Sequence, residues 1–323
     1  MDIFYPIQLF ADFLTYTVLH LSVGAHSAGA VNFFVYDTIK IVILLLVITQ
    51  VMNFVNVFFP VEKIRDFLSK KKLYGLEYFM ASLFGAITPF CSCSSIPLFI
   101  GFLKGGIPLG ITFSFLITSP LVNEVALAML LGIFGLKITL IYAISGIVLG
   151  MVGGFILGKL KLEKYVADFI WKTPVHNAGM AITKKTWKQV WRESSREGLQ
   201  ITKKILPYVL LGVAVGAGIH GFVPEGFFAQ YISEDTPFAV PIAVILGIPM
   251  YANATSVIPI IQALIAKGVP LGTGLAFMMA VVGLSLPEFL ILKKVMKLPL
   301  LLTFFGLVGF CIILLGYFYN WIF

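Results

Sequence analysis

The segment TPFCSCSSIPLF, residues Thr88–Phe99, interrupts an otherwise apolar run of the chain. It places Cys91 and Cys93 one residue apart, among three serines and two prolines. Proline disrupts helix interiors, and serine favours helix starts. The segment therefore predicts a break between two helices, with two thiols in the gap.

The composition around this segment is that of a polytopic membrane protein. Of 323 residues, 59% are hydrophobic and 12% are charged, with a mean hydropathy of +0.99. Several apolar stretches reach the roughly 20 residues that an α-helix needs to cross a bilayer. We therefore predict an all-α, multi-pass protein of the cell (inner) membrane. The net charge of +8 is attributed to cytoplasmic loops rather than to nucleic acid binding, so the lipid bilayer is the expected macroscopic partner.

Basic residues are concentrated in a few stretches. Of 23, five lie in Val61–Lys72, eleven in Lys159–Lys204 and three in Lys293–Lys297. The loop Val223–Pro237 has three carboxylates and no basic residue. Because cytoplasmic loops are enriched in lysine and arginine, the three basic stretches are predicted to be cytoplasmic and this loop to lie outside.

The same charge bias decides between two interpretations of Leu76–Lys104, which contains the break and is too short for two full crossings. A single broken span would leave the large basic loop outside, whereas a re-entrant hairpin returns the chain to the cytoplasm. We therefore expect a hairpin. The flanking predicted spans are Val31–Phe59, Ile107–Phe134, which is interrupted by TSPLVNE (Thr118–Glu124), and Ile138–Gly158.

The second half of the chain repeats the first. The sequence IPLFIGFLKGGIPLGITFSF, Ile96–Phe115, aligns with IPIIQALIAKGVPLGTGLAF, Ile258–Phe277, at an offset of 162 residues with several prolines and glycines in register. The break aligns with IPMYANATSVIP, Ile248–Pro259, and a two-residue gap aligns Glu124 with Glu288. Repeats of this kind are typical of secondary transporters.

Flanking charges also predict that the two copies have opposite orientations. Val31–Phe59 ends at a basic loop, whereas Leu199–Phe222 begins near one and ends near the acidic loop. The predicted fold is thus two inverted-topology repeats with broken helices or re-entrant hairpins. We divide the chain into an N-terminal segment (1–30), a first repeat (31–160), a basic cytoplasmic linker (161–198) and a second repeat (199–323).

The two breaks are the expected binding site, because irregular backbone at membrane depth is tolerated only against protein or a water-filled cavity. Serine or threonine precedes Pro97 and Pro259, which predicts a capped half-helix that directs its free N–H groups into the gap. Capping alone would also explain these hydroxyls. The expected substrate-binding residues are Cys91, Cys93, Ser94, Ser95, Asn123, Tyr251, Asn253, Thr255 and Ser256.

The cysteine pair could bind a soft ligand or simply pack. In extended backbone Cys91 and Cys93 would point to the same side, and nearby helix ends would favour the thiolate form. Thiolates select soft metals and metalloids over magnesium or calcium. The packing alternative is that of a small buried hydrophobic side chain.

The segment TPFCSCSSIPLFIGFLKGGIPLG, together with TSPLVNE, resembles the predicted-permease family that includes the ArsP-type organoarsenical efflux permeases. The likeness extends roughly from Val31 to the end. It implies export of trivalent arsenicals across the cytoplasmic membrane, with Cys91 and Cys93 in substrate recognition. Many members have a further cysteine in the second break, where this chain has Asn253, which leaves the identity of the substrate open.

The number of thiols favours an organoarsenical over arsenite. A monosubstituted trivalent arsenical has two exchangeable positions, whereas arsenite prefers three thiolates. The third cysteine, Cys311, lies in the last predicted span, and nothing in the sequence places it beside the pair.

Two carboxylates, Glu124 and Glu288, follow the interruptions of the two halves and are candidates for proton coupling, because a carboxylate inside a span is costly. The alternative is a structural, hydrogen-bonded carboxylate, which is favoured for Glu288 because it lies close to Lys293. Asn123 and Asn253 could likewise line a cavity or tie broken helices together. Gly146, Gly150, Gly154 and Gly158, grouped as one stripe at four-residue spacing, predict close helix packing.

The leading functional hypothesis is a secondary-active permease that exports a thiophilic substrate, such as trivalent organoarsenicals or arsenite, by proton exchange. One alternative is a permease for a divalent metal ion or a small sulfur compound, and another is a membrane thiol redox protein. No Walker motif or histidine ligand spacing is present, so we expect no cofactor, no bound metal and no enzymatic activity. Assembly into a homo-oligomer stays open.

Overall fold

Helices form nearly all of the regular structure in the part of the chain that the computed structural model describes. The described residues are 5–22, 25–58, 75–88, 92–167, 170, scattered positions between 196 and 218, 238–250, 254–266 and 268–323. Among them, Val166 and Met296 also form an isolated antiparallel β-bridge. The all-α class is therefore confirmed for the described residues. Most of the predicted linker, the span Leu199–Phe222 and the acidic loop lie outside them.

The first half of the chain forms helices α1 to α6. Their bounds are α1 Tyr5–Asp12, continued by a π-helix over Phe13–Val18, α2 His26–Phe58, α3 Leu76–Ile87, α4 Ser92–Lys104, α5 Leu109–Leu121 and α6 Glu124–Lys159. Within α6, Gly135 has φ 81° and ψ 175°, a conformation that favours glycine. Helix α6 is therefore two helical segments that meet at Gly135.

The second half forms helices α7 to α11. Their bounds are α7 Ala239–Gly247, α8 Ala254–Ala266, α9 Leu271–Gly283, α10 Leu286–Leu292 and α11 Leu298–Ile322. The contacts of the chain define two compact units. The unit that contains α3 to α6 combines Leu45–Lys204 with Leu292–Cys311, and the unit that contains α7 to α10 combines Met1–Leu44, Ile205–Ile291 and Ile312–Phe323.

Two helices of one half have counterparts of equal length in the other. Helices α4 and α8 have 13 residues each, as do α5 and α9, and all four pairs of boundaries are offset by 162 residues. The turns between them also agree, with φ 80° at Gly106 and 92° at Gly268. Both turns end at a proline, Pro108 or Pro270, directly before the next helix. These agreements support the duplication.

The packing inside each unit repeats as well. A Cβ added to Gly85 would lie 2.9 Å from the carbonyl oxygen of Phe115, and one added to Gly247 would lie 3.2 Å from that of Phe277. Both members of this contact are shifted by 162 residues. The opposite orientation of the two halves stays a prediction.

The glycine stripe of α6 packs closely, as predicted. A Cβ on Gly110 of α5 would lie 2.7 Å from the carbonyl oxygen of Gly154, and a Cβ on Gly272 of α9 would lie 2.5 Å from that of Gly316 in α11. These two contacts are again related by the offset of 162 residues. Small residues therefore let the backbones of the paired helices approach each other in both units.

The constant offset changes one alignment made from the sequence. Helix α10 begins at Leu286, which is 162 residues after the start of α6 at Glu124, and α11 keeps the same offset. Glu288 therefore corresponds to Ala126, and both residues are buried, with 1% and 0% exposure. The match between Glu124 and Glu288 was wrong because the two-residue gap breaks the helix register that the structure maintains.

The chain reverses direction between α3 and α4. The ring centroids of Phe84 in α3 and Phe102 in α4 are 6.3 Å apart. In one straight helix, 1.5 Å per residue would separate these positions by about 27 Å. Both rings also contact Phe115 of α5, with centroids 5.7 Å and 5.2 Å away. Helices α3 and α4 therefore fold back on each other, and re-entrant placement of this pair in a bilayer stays a prediction.

Three helical stretches among the described residues are long and apolar enough to cross a membrane: Glu124–Lys159, Leu271–Leu292 and Leu298–Ile322. Helices α3, α4 and α5 are also apolar but have only 12 or 13 residues. At roughly 20 Å each they are shorter than the hydrocarbon core of about 30 Å. These helices indicate a membrane protein.

Candidate functional site

A hydrogen bond between two buried serines joins the first helix break to the interruption that follows it. Ser95 of α4 and Ser119 of α5 are 0% exposed, and their Oγ atoms are 2.7 Å apart. Ser95 is two residues from Cys93, and Ser119 belongs to TSPLVNE. The two motifs singled out in the sequence therefore meet in the same unit of the structure.

The interruption itself is a short non-helical link between α5 and α6. Helix α5 ends at Leu121, Val122 and Asn123 have extended backbone, and α6 begins at Glu124. The Oδ1 atom of Asn123 accepts a hydrogen bond of 2.8 Å from the backbone N–H of Ala126, as a helix cap does. Its Nδ2 atom donates to the carbonyl oxygen of Pro120 at 3.3 Å. Both ends of the Asn123 amide thus stabilise the link, and substrate binding by Asn123 stays a prediction.

A buried tyrosine supports the same link from α6. The hydroxyl of Tyr142, which is 0% exposed, donates a hydrogen bond of 3.0 Å to the carbonyl oxygen of Leu121. That carbonyl lies at the end of α5, where the helix itself supplies no further N–H donors. Neither Tyr142 nor Ser119 was among the residues predicted from the sequence. Ser119 could have been noticed by comparing the repeats, because its counterpart 162 residues later is Val281, so the hydroxyl is specific to the first half.

The start of α4 differs from the sequence prediction. Ser92 and Cys93 are already helical, so Ser94 and Ser95 lie within the helix rather than before it. The expected capping role of these two serines is therefore wrong, and Cys93 does not have the extended backbone that was expected between the cysteines. Because the helix begins at Ser92, Pro97 lies inside it rather than in its first turn.

This position of Pro97 matters for the backbone beside the thiols. Proline has no N–H, so Pro97 cannot donate the intrahelical hydrogen bond to the carbonyl oxygen of Cys93. The first turn of α4, which includes Cys93 and Ser94, also has N–H groups without intrahelical acceptors. Cys91 lies outside the described residues, as do the side chains of Cys93 and Ser94.

The second break shows a related arrangement. Helix α8 begins at Ala254, so Thr255 and Ser256 lie in its first turn and Pro259 lies inside it. The backbone N–H of Leu286, the first residue of α10, donates a hydrogen bond of 2.8 Å to the carbonyl oxygen of Ile248. This bond brings the interruption after α9 next to the segment that precedes the break. Tyr251 and Asn253, and the side chains of Thr255 and Ser256, lie outside the described residues.

The two breaks differ in polarity at the residues that can be compared. The positions of Ser95 and Ser119 are occupied in the second half by Val257 and Val281, which are also 0% exposed. The hydrogen-bonded pair Ser95 and Ser119 therefore has an aliphatic counterpart in the second half. The asymmetry first seen in Cys91 and Cys93 extends into the core.

The burial of the two glutamates is the reverse of what their positions in the sequence suggested. Glu124 is exposed at the start of α6, whereas Glu288 in α10 is 1% exposed. Ser285, directly before α10, is also 1% exposed, and its Oγ atom has no hydrogen-bond partner among the described residues. A buried carboxylate and a buried hydroxyl thus lie close in sequence at the second interruption.

Comparisons with known proteins agree with this helical architecture. A family model described as a predicted permease (ArsP_1) matches residues 26–321. The UPF0718 protein MJ0584 of Methanocaldococcus jannaschii is 24% identical, over 75% of this chain and 81% of its own length. The UPF0718 protein YcgR of Bacillus subtilis is 33% identical over an aligned region that covers 25% of this chain and 28% of that relative. No solved structure shows a significant match.

The family match begins at the first residue of α2 and ends within the last turn of α11. It therefore includes both helix breaks and both interruptions. Together with the apolar helices, it indicates a membrane transporter rather than an enzyme. The chain belongs to the predicted-permease family.

Proposed function

We propose that this protein is a secondary-active permease that exports a thiophilic substrate, such as a trivalent organoarsenical or arsenite. The observation that carries the proposal is the hydrogen bond between Ser95 and Ser119. It fixes the start of α4, which bears Cys93, beside the non-helical link between α5 and α6. In the proposal, the thiols of Cys91 and Cys93 act at this junction, together with the free N–H groups of the first turn of α4.

The chemistry of this place suits a soft electrophilic substrate. Thiolates bind soft metalloids well, and the positive end of a helix dipole favours the thiolate form of a cysteine in its first turn. Each thiol displaces one exchangeable group from a trivalent arsenical, and the proton of the thiol leaves with that group. Alternating access would come from movement of one repeat against the other.

Substitution of the two cysteines tests the substrate. In everted vesicles or proteoliposomes, we expect Cys91→Ser and Cys93→Ser each to reduce methylarsenite accumulation at least about tenfold, because loss of one thiolate leaves a single covalent contact. Cys311→Ser is the matched control, because Cys311 is a half-buried cysteine in α11 and should leave transport unchanged.

Three results would count against the proposed thiol site. Undiminished methylarsenite transport in both serine variants would show that the thiols do not bind the substrate. Transport of a divalent cation that survives both substitutions would instead favour a metal-ion permease. Thiol-disulfide exchange without any transport would favour the redox alternative.

Proton coupling is proposed to involve Glu288 more than Glu124. The protonation of a buried carboxyl group depends on the protein environment around it, which alternating access would change. An exposed carboxyl group does not experience this change. We expect Glu288→Gln to abolish the response of transport to an imposed pH gradient while the protein remains folded. Glu124→Gln, made at the exposed position, should retain that response. A normal pH response in Glu288→Gln would remove Glu288 from the coupling mechanism.

A further inference from the structure

An open groove lies between α3 and the second segment of α6. Its volume is about 410 Å³, which falls in the range of small-molecule sites, roughly 300–1,000 Å³. All of its lining residues belong to the unit that contains α3 to α6. They are Gly75, Leu76, Tyr78, Phe79, Met151, Val152 and Phe155. The described lining of the groove is thus apolar apart from the phenol of Tyr78.

The groove follows from how α3 and α6 pack against α5. Glycines draw α6 onto α5, and the ring of Tyr78 fits beside them, so that a Cβ on Gly110 would lie 3.1 Å from the ring and one on Gly158 3.2 Å from the hydroxyl oxygen. Tyr78 also meets Phe155 edge to face, with centroids 5.6 Å apart. Val152 and Phe155 remain partly exposed beside the start of α3 and line the groove there.

One end of the groove carries a positive charge. The Nζ atom of Lys159, the last residue of α6, lies 4.5 Å from the ring centroid of Phe155. Lys161 and Lys164 follow directly and are exposed. Among the described residues, Glu77 in the first turn of α3 lies next to Tyr78 in the sequence, and Glu163 follows α6, but neither lines the groove. Tyrosine and lysine at the end of an apolar helix are typical of the membrane–water interface.

We propose that this groove binds an anionic phospholipid, with an acyl chain between α3 and α6 and the phosphate group at Lys159. The apolar lining is complementary to the chain, and the cation at the end of α6 is complementary to the phosphate. A basic residue near the surface of an anionic leaflet contributes about 1 kcal/mol of attraction, which corresponds to roughly a fivefold change in affinity. None of the residues that line the groove belongs to the proposed substrate site, so the lipid proposal does not depend on the substrate.

Lipid titration of the purified full chain in an uncharged detergent tests the proposal. Phosphatidylglycerol and phosphatidylcholine with identical acyl chains, and inorganic phosphate, are compared by the shift in melting temperature and by native mass spectrometry. We expect phosphatidylglycerol to bind most tightly and phosphate alone to have no effect. Lys159→Gln should weaken phosphatidylglycerol binding about fivefold and leave phosphatidylcholine binding unchanged.

Matched variants separate this site from general lipid contact. Lys137→Gln removes an exposed lysine at the far end of the same helical segment and should leave the preference intact. Val152→Trp fills the groove and should abolish it, whereas Val148→Trp, one turn away on the exposed face and outside the groove, should not. Equal binding of the two lipids by the unaltered protein, or an undiminished preference in Lys159→Gln, would overturn the proposal. A phosphate effect as large as that of phosphatidylglycerol would also overturn it.

Discussion

Ser95 and Ser119 can be altered singly or together, and the second half of the chain shows that the fold does not require them. Their counterparts Val257 and Val281 are equally buried. Removal of either serine deletes the hydrogen bond between them, which contributes about 0.5–1.5 kcal/mol net, and removal of both deletes the same bond only once. We therefore expect Ser95→Ala and Ser119→Ala to lower the free energy of unfolding non-additively, with a coupling of about 1 kcal/mol in a double-mutant cycle.

Transport should respond differently from stability in this cycle. If the serine pair positions the start of α4, both single variants and the double variant should transport less methylarsenite than the unaltered protein. Additive losses of stability would contradict the importance of the hydrogen bond. Full transport by the double variant would contradict its positioning role.

The sequence predicts residues with local effects better than it predicts contacts between helices. The cysteines, prolines and glycines could be selected because each has a local chemical or conformational consequence. The contact between Ser95 and Ser119 could not be predicted in this way, because the two residues are 24 positions apart and meet only when α4 and α5 pack against each other. The burial of Glu288 was missed for a similar reason, since proximity to Lys293 in sequence does not determine which way a helix face points.

At the scale of helices, the stripe on α6 gives a direct test of packing. A Cβ on Gly154 would collide with Oγ of Ser114 and lie 2.5 Å from the carbonyl oxygen of Gly110. A Cβ on Gly132 would have no atom of the described residues within 4 Å. We expect Gly154→Ala to lower stability by about 1–3 kcal/mol, because α5 and α6 must move apart. Gly132→Ala should be neutral or stabilising by up to about 1 kcal/mol, since alanine favours helix.

Melting temperatures of the two purified variants measure this difference under identical conditions. Equal melting temperatures would show that the close approach of α5 and α6 contributes little to stability.

The stripe was predicted from its four-residue spacing alone, because that spacing places small residues on one helix face. The start of α4 was not predicted correctly. Serines before a proline suggest a helix cap, but the same residues can also lie inside a helix that begins earlier.

At the scale of the whole molecule, duplication was visible in the sequence and has counterparts in helix length and packing. A constant offset of 162 residues relates α4 to α8, α5 to α9 and the close contacts of each unit. The sequence could supply the offset because proline and glycine positions are tied to turns. The sequence could not supply the helix register around Glu288. The glutamates of the two interruptions, Glu124 and Glu288, suggest an alignment with a two-residue gap, whereas the helices keep the constant offset and pair Glu288 with Ala126.

Opposite orientation of the two halves is tested by labelling from each side of the membrane. With the native cysteines replaced by serine, single cysteines are introduced as Lys104→Cys and Lys267→Cys and exposed to an impermeant maleimide. The turns that follow α4 and α8 have the same local geometry, so inverted repeats must place them on opposite sides. Lys63→Cys and Gln230→Cys serve as references for the predicted inside and outside, because the first lies in a basic stretch and the second in the acidic loop. Labelling of Lys104→Cys and Lys267→Cys from the same side would contradict the inverted orientation of the two repeats.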